Sequence, residues 1–311
     1  MSRFNKTLQE FISSKSDFSV IYSASKHHHH SQGRLITPTT QRVCVLDSSF
    51  NPPHLGHYTL VEESLKSNYD NTPMANKSIL LLLSTQNADK STNHLSGEMY
   101  SHRLDMIHLM ADDLAARFPQ VDIAIGLTKH AKFVDKSLSI IEYIDADAIL
   151  NSAAEGLPIV KHPNFKLTFL IGFDTLIRIL NPKYYLPDKL SLSLEHFMKM
   201  TDLFCLTRQV DSTTIAKQED YISEISSGVH EDIPSHWSKN IFLVTNLNRA
   251  VADISSSSIR RQIGGARSHD DDDDDDENDN EDRAVLHPRW KNQVIPSVAS
   301  YIENHHLYES N

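Results

Sequence analysis

The chain of 311 residues has only two cysteines, no long apolar run and no surplus of basic charge. Cys44 and Cys205 each sit inside an apolar stretch, so they supply no disulfide framework, and a reducing compartment is expected. The longest purely apolar run is Ile79–Leu83, far short of the ~20 residues that a membrane-spanning helix needs. The opening segment MSRFNKTLQEF carries no apolar core of the kind that marks a secretory signal. The formal net charge of -11 has one source: Asp270–Asp282 holds nine Asp and two Glu, and outside it acidic and basic residues are equal in number. A chain of this balance is no polycation for nucleic acid, and it holds no basic cluster that would act as an import signal. Neither nucleic acid nor a membrane is expected as a partner. The expected location is the cytoplasm, with the nucleus open as well. Assembly into a homo-oligomer is left open.

Six short apolar runs read as strands: Arg42–Asp47, Ser78–Ser84, Val121–Leu127, Lys166–Gly172, Asp202–Thr207 and Asn240–Thr245. Most are continuous rather than alternating, as befits strands covered on both faces. Helical patterns lie between several of them. The clearest is Glu98–Phe118, where Leu104, Ile107, Met110, Ala111 and Leu114 recur at helical spacing. Strands alternating with helices predict an α/β fold with a doubly wound, mostly parallel sheet. Such sheets bind ligands at the carboxyl ends of their strands, near a switch in strand order.

Residues 1–40 read as an N-terminal extension, a short amphipathic helix (Phe4, Leu8, Phe11, Ile12) followed by a polar loop. The loop carries His27–His30, four consecutive positions that form no ligand cage and fit a solvated loop or a cloning remnant. Residues 41–311 read as one main domain. It is interrupted at about 265–283 by an acidic insert, because seven consecutive Asp repel one another and cannot bury. The segment Val294–Tyr308 reads as a final packed helix.

The stretch that carries chemistry is Asp47-Ser-Ser-Phe-Asn-Pro-Pro-His-Leu-Gly-His57. It leaves the first predicted strand and enters a helix predicted over Tyr58–Ser67. A helix start offers free backbone N–H groups and the positive end of the dipole, both suited to an anion. Two prolines stiffen the loop, and Gly56 allows close backbone approach. His54 and His57, three positions apart, can face one point and donate to charge that grows during phosphoryl transfer. A distant second stretch, Ile254-Ser-Ser-Ser-Ser-Ile-Arg260, follows the sixth strand and opens a helix over Ser258–Gly264. Its hydroxyls and N–H groups suit a polyphosphate, and Arg260 adds a fixed charge; ordinary N-capping is the plainer alternative.

These two stretches, with Gly172-Phe-Asp174 after the fourth strand, resemble the signatures of the HxGH nucleotidyltransferase superfamily. The Asn-Pro form of the first looks most like the nicotinamide/nicotinate mononucleotide adenylyltransferases. The pattern DSSFNPPH, with GFDT and the later Ser run, looks closest to a divergent fungal subgroup, the promoter-of-filamentation proteins. The resemblance covers roughly Gln41–Tyr308 without the acidic insert. It implies a Rossmann-like fold and the reaction of ATP with nicotinamide mononucleotide to give NAD and pyrophosphate, in NAD biosynthesis. By the same resemblance His54 and His57 meet the α- and β-phosphates, while Ser255, Ser256 and Arg260 hold the β- and γ-phosphates. Ser48, Ser49, Phe50, Asn51, Gly172, Asp174, Ile254 and Ser257 complete the ATP site; Asp174 can equally cap the helix predicted over Thr175–Leu180. Asn87 and Lys90 look like the loop that takes the mononucleotide phosphate, and Trp237 is either a stacking partner for the pyridine ring or a packed core residue. Arg103 and Arg208 either reach phosphate or sit exposed or salt-bridged. Mg²⁺ is expected on the ligand phosphates, with Asp47 as an indirect ligand, and the partners are ATP and nicotinamide or nicotinate mononucleotide. Ser48 departs from the pattern, since many members have glycine there and a side chain alters the pocket. That departure keeps open an alternative, an ATP-binding or ATP-hydrolysing regulatory protein on the same fold.

Overall fold

The computed structural model describes residues 2–24, 35–85, 97–154, 165–207, 212–246, 249–265 and 289–309. The strands are β1 (Phe18–Ala24), β2 (Arg42–Asp47), β3 (Lys77–Ser84), β4 (Asp122–Thr128), β5 (Lys166–Gly172), β6 (Thr201–Leu206) and β7 (Ile241–Val244). Among the described residues the helices are α1 (Asn5–Ser13), α2 (Leu55–Lys66), α3 (Gly97–Arg117), α4 (Phe133–Ala154), α5 (Phe173–Ile179), α6 (Leu190–Met200), α7 (Ser212–Ser227), α8 (Arg249–Ala252), α9 (Ser256–Gly265) and α10 (Pro296–Asn304).

All seven strands form one sheet in the order β1-β4-β3-β2-β5-β6-β7. From β4 to β7 every pairing is parallel. Without β1 the order is that of a doubly wound sheet, as the alternation of strands and helices predicts. The order reverses between β2 and β5, the neighbours of which lie on opposite sides. Each strand's side chains alternate between two apolar layers. Cys44 and Leu46 of β2, with Ile79, Leu81 and Leu83 of β3, face a core built with α1, α2, α3, α9 and α10. Val43 and Val45, with Leu80 and Leu82, face a second core built with α4, α5 and α6. Both faces are therefore apolar, which is why these strands show unbroken hydrophobic runs.

The N-terminal segment differs from its predicted form. The helix is there, with Leu8 fully buried and Phe4 and Phe11 packed beside it, but Ile12 points to solvent. Beyond it, Phe18–Ala24 is a strand and not a loop; it pairs antiparallel with β4, from Phe18 opposite Thr128 to Ala24 opposite Ile123. Phe18 and Val20 are its only buried residues, so its apolar signal is too short to register as a strand. His27–His30 and the acidic insert lie outside the described residues.

The amino ends of the central strands carry a buried charge network. Asp70 pairs with the Arg42 Nε and, at 3.1 Å, with Lys77. Asp202 pairs with Arg42 at 2.7 Å and with Lys166 at 2.6 Å. The Tyr69 ring lies under two of the three cations, Arg42 and Lys77, 4.4 Å from the Lys77 Nζ. The carboxyl ends, by contrast, open into a cleft.

Candidate active site

β2 delivers the chain to the switch point at Asp47, and the next seven residues turn it into α2. Phe50 takes a left-handed backbone conformation (φ 44°), which costs an L-residue ~1–2 kcal/mol, and its fully buried ring offsets this. The Phe50 side chain belongs to the first core. The Asn51–Pro52 peptide is cis.

His54 and His57 share the helix start. The His54 Nδ1 accepts from the Gly56 N–H, and the His57 Nδ1 accepts from the His54 N–H, each at 3.1 Å. Two of the orphan donors of the helix terminus are thereby satisfied by imidazoles rather than by the usual Ser or Asp. The rings stack with centroids 3.8 Å apart, and His57 lies 5.1 Å from the Phe50 ring. Burial first, and the neighbouring His54 second, push the His57 pKa well below its ordinary value of 6.5, so the ring is neutral at pH 7. Its Nε2 sits 2.8 Å from the Ser48 Oγ.

Gly56 is needed for this geometry, because a Cβ there would lie 3.0 Å from both Nδ1 and Cε1 of His54. Gly56→Ala is expected to drive the His54 ring off its N–H contact. Activity would then fall about tenfold or more, with a stability loss near the ~1 kcal/mol typical of a lost cap; steady-state kinetics and urea unfolding check both.

The second motif arrives from 200 residues away. Ser255 caps α9 by accepting from the Ser258 N–H at 3.2 Å. The Ser256 hydroxyl donates to the Pro52 carbonyl at 2.9 Å, and the Arg260 Nη1 donates to the Asn51 carbonyl at 2.6 Å. The Tyr308 hydroxyl donates to the Asn51 Oδ1 at 2.8 Å. The loop between β2 and α2 is thus stapled to α9 and to the residues after α10. Ser257 is exposed, within 3.4 Å of Arg260, and Ser49 is exposed beside the loop.

A cleft of about 240 Å³ brings the two motifs together. Ser48, His54, Gly56 and His57 line one side, and Ile254 and Ser255 line the other. Gly172 and Asp174, at the end of β5 and the first turn of α5, line its floor. A larger hollow of about 460 Å³ between α7 and β7 holds none of the motif residues. Trp237 does not line the cleft: it lies in the second core, with its indole N–H donated to Glu195 at 2.9 Å, so packing is its role. Asn87, Lys90 and Arg208 lie outside the described residues.

Several site residues escape a reading of the sequence. Thr207 and Asn246, at the ends of β6 and β7, also line the cleft, joined by the Asn246 N–H donating to the Thr207 hydroxyl at 2.9 Å. Lys136 of α4 reaches Asp47 at 2.6 Å, with both side chains nearly buried. No spacing signals that pair, since 89 positions separate the partners. Arg103 of α3 is neither exposed nor, among the described residues, paired with a carboxylate; it is buried over the Tyr100 ring at 4.7 Å.

Comparison with known proteins adds to this picture. A Schizosaccharomyces pombe protein named "Putative nicotinamide mononucleotide adenylyltransferase" is 31% identical over 221 residues, covering 71% of this chain and 75% of its own. Two Plasmodium falciparum structures of nicotinic acid mononucleotide adenylyltransferase, complexed with NaAD and with APC, are 16% and 15% identical. Each covers 87% of this chain and 98% of its own, with TM-scores of 0.46 and 0.43. The family model described as cytidylyltransferase-like matches residues 45–262, from within β2 to within α9, and so takes in both motifs and the cleft between them. The chain belongs to the cytidylyltransferase-like family.

Proposed function

We propose that the protein is a nucleotidyltransferase that joins ATP to nicotinamide or nicotinate mononucleotide, releasing pyrophosphate and forming the dinucleotide for NAD biosynthesis. The observation that carries this reading is the meeting of the His54–His57 helix start and the Ser255 helix start in one cleft at the switch point. The name of the S. pombe relative supports it.

In this reaction the mononucleotide phosphate attacks the α-phosphorus of ATP in line, and pyrophosphate leaves. Catalysis is positioning plus stabilisation of charge on phosphate oxygens. His54 and the His57–Ser48 pair would face the α- and β-phosphates. Free N–H groups at the start of α9, with the Ser255 hydroxyl, would hold the β- and γ-phosphates, and Arg260 would add charge behind them. Asp174 would accept from ribose hydroxyls.

The donor set also bears on the metal that accompanies ATP. Asp47 already pairs with Lys136, and no cluster of three His, Cys, Asp or Glu occurs among the described residues. These residues fit Mg²⁺ carried on phosphate oxygens and water rather than in a protein cage. Bound there, the ion would neutralise phosphate charge.

Incubating the protein with Mg²⁺, ATP and each mononucleotide in turn is expected to yield dinucleotide and pyrophosphate in equal amounts. Inorganic phosphate without dinucleotide would replace this reading with that of an ATP-hydrolysing protein.

A further inference from the structure

The His57 ring has two nitrogens, and both are committed within the protein. Nδ1 accepts the His54 backbone N–H. A nitrogen that accepts carries no proton, so the single proton of the neutral ring sits on Nε2. Nε2–H then donates to the Ser48 Oγ at 2.8 Å. The ring cannot swing toward a ligand without losing its cap, because it is buried between His54 and Phe50.

What remains to face the cleft is the hydroxyl proton of Ser48. Its oxygen accepts from His57, and no acceptor among the described residues takes its own O–H. The neighbouring Asp47, the nearest carboxylate along the chain, is held by Lys136. The Ser48 backbone is tied down too, donating its N–H to the Leu82 carbonyl at 3.3 Å. A hydroxyl that accepts one hydrogen bond donates a stronger one, so the imidazole polarises the group it orients.

We infer that the Ser48 hydroxyl is the donor that meets the polyphosphate at the end of β2, and that His57 acts through it as a positioning residue. The ligand's identity rests on the adenylyl-transfer reading above. No covalent bond forms or breaks at Ser48; its proton stays on Oγ and points at a phosphate oxygen. A glycine at position 48 would leave the His57 Nε2–H without the Ser48 oxygen that now accepts from it.

The test uses the full chain with Ser48→Ala, Ser48→Thr, His57→Ala and the Ser48→Ala/His57→Ala double variant. Ser48→Ala is expected to weaken Mg-ATP binding by about tenfold, the typical size of a hydrogen bond to a charged group, and to lower dinucleotide formation at least as much. Ser48→Thr should recover most of the loss, and thermal unfolding should show Ser48→Ala folded. The double variant should be no slower than His57→Ala, because the two side chains act as one unit. Imidazole ¹⁵N spectra of the wild type should show His57 protonated at Nε2. A His57 protonated at Nδ1, additive losses in the double variant, or Ser48→Ala binding Mg-ATP as tightly as the wild type would each overturn the inference. Wild-type protein that binds Mg-ATP without forming dinucleotide would sink the adenylyl-transfer reading alone. The Mg-ATP affinities of the same variants would still decide the role of Ser48.

Discussion

Replacement of His57 by alanine is expected to lower dinucleotide formation about 10²–10³-fold, the loss seen when a donor to developing oxyanion charge is put out of action, here through the Ser48 hydroxyl that the ring orients. The reason lies in the contacts of the ring. Its Nδ1 caps the His54 N–H, its Nε2 turns the Ser48 hydroxyl, and its face stacks on the His54 ring at 3.8 Å. Alanine removes all three, so Ser48 loses its orientation and His54 its support. The fold should survive, because a lost N-terminal contact typically costs ~1 kcal/mol and a net hydrogen bond a similar amount, against the ~5–15 kcal/mol of an ordinary domain. Single-turnover kinetics alongside urea unfolding separates the two effects. A variant with wild-type turnover would remove the imidazole from the mechanism.

The largest expected effect on stability is at the opposite end of the sheet. Asp70→Ala should destabilise the protein by about 3–5 kcal/mol, the cost of breaking a buried ion pair from one side. Asp70 and Lys77 side chains are each 1% exposed. With the carboxylate gone, the Lys77 ammonium keeps, among the described residues, the Ser64 carbonyl at 2.9 Å and the Tyr69 ring. Arg42 keeps Asp202 and so is less affected. The double replacement Asp70→Leu with Lys77→Met should cost less than Asp70→Ala alone, because it removes both charges rather than stranding one. Equilibrium urea unfolding measures each. A midpoint for Asp70→Ala equal to that of the wild type would show that the network is solvated and contributes little.

The strands of the sheet centre were legible because burial on both faces writes itself as unbroken apolar runs. Arg42–Asp47 and Lys166–Gly172 have the predicted bounds, and the other four predicted strands differ only at their ends. The edge strand β1 was not legible, since it buries few residues and its partner β4 is a hundred positions away. The motif residues were legible for a different reason. Helix starts are built by local chemistry, so the capping residues His54, His57 and Ser255 announce themselves within a few positions. Trp237 carried two readings, and burial decided for packing, because an aromatic ring near a site carries the same sequence signal whether it faces ligand or core.

Local chain chemistry by itself determined the alternation of strands and helices and the two anion-suited helix starts. Only the tertiary structure decided that those starts share a cleft, through the contacts of Ser256 with Pro52 and Arg260 with Asn51. It also decided that Lys136 neutralises Asp47 and that Ser48 occupies the His57 proton. The division has a physical cause. Propensity, capping and hydrophobic periodicity act over a few residues along the chain. Hydrogen bonds and ion pairs between residues 89 to 209 positions apart exist only once the sheet has brought the strand ends together.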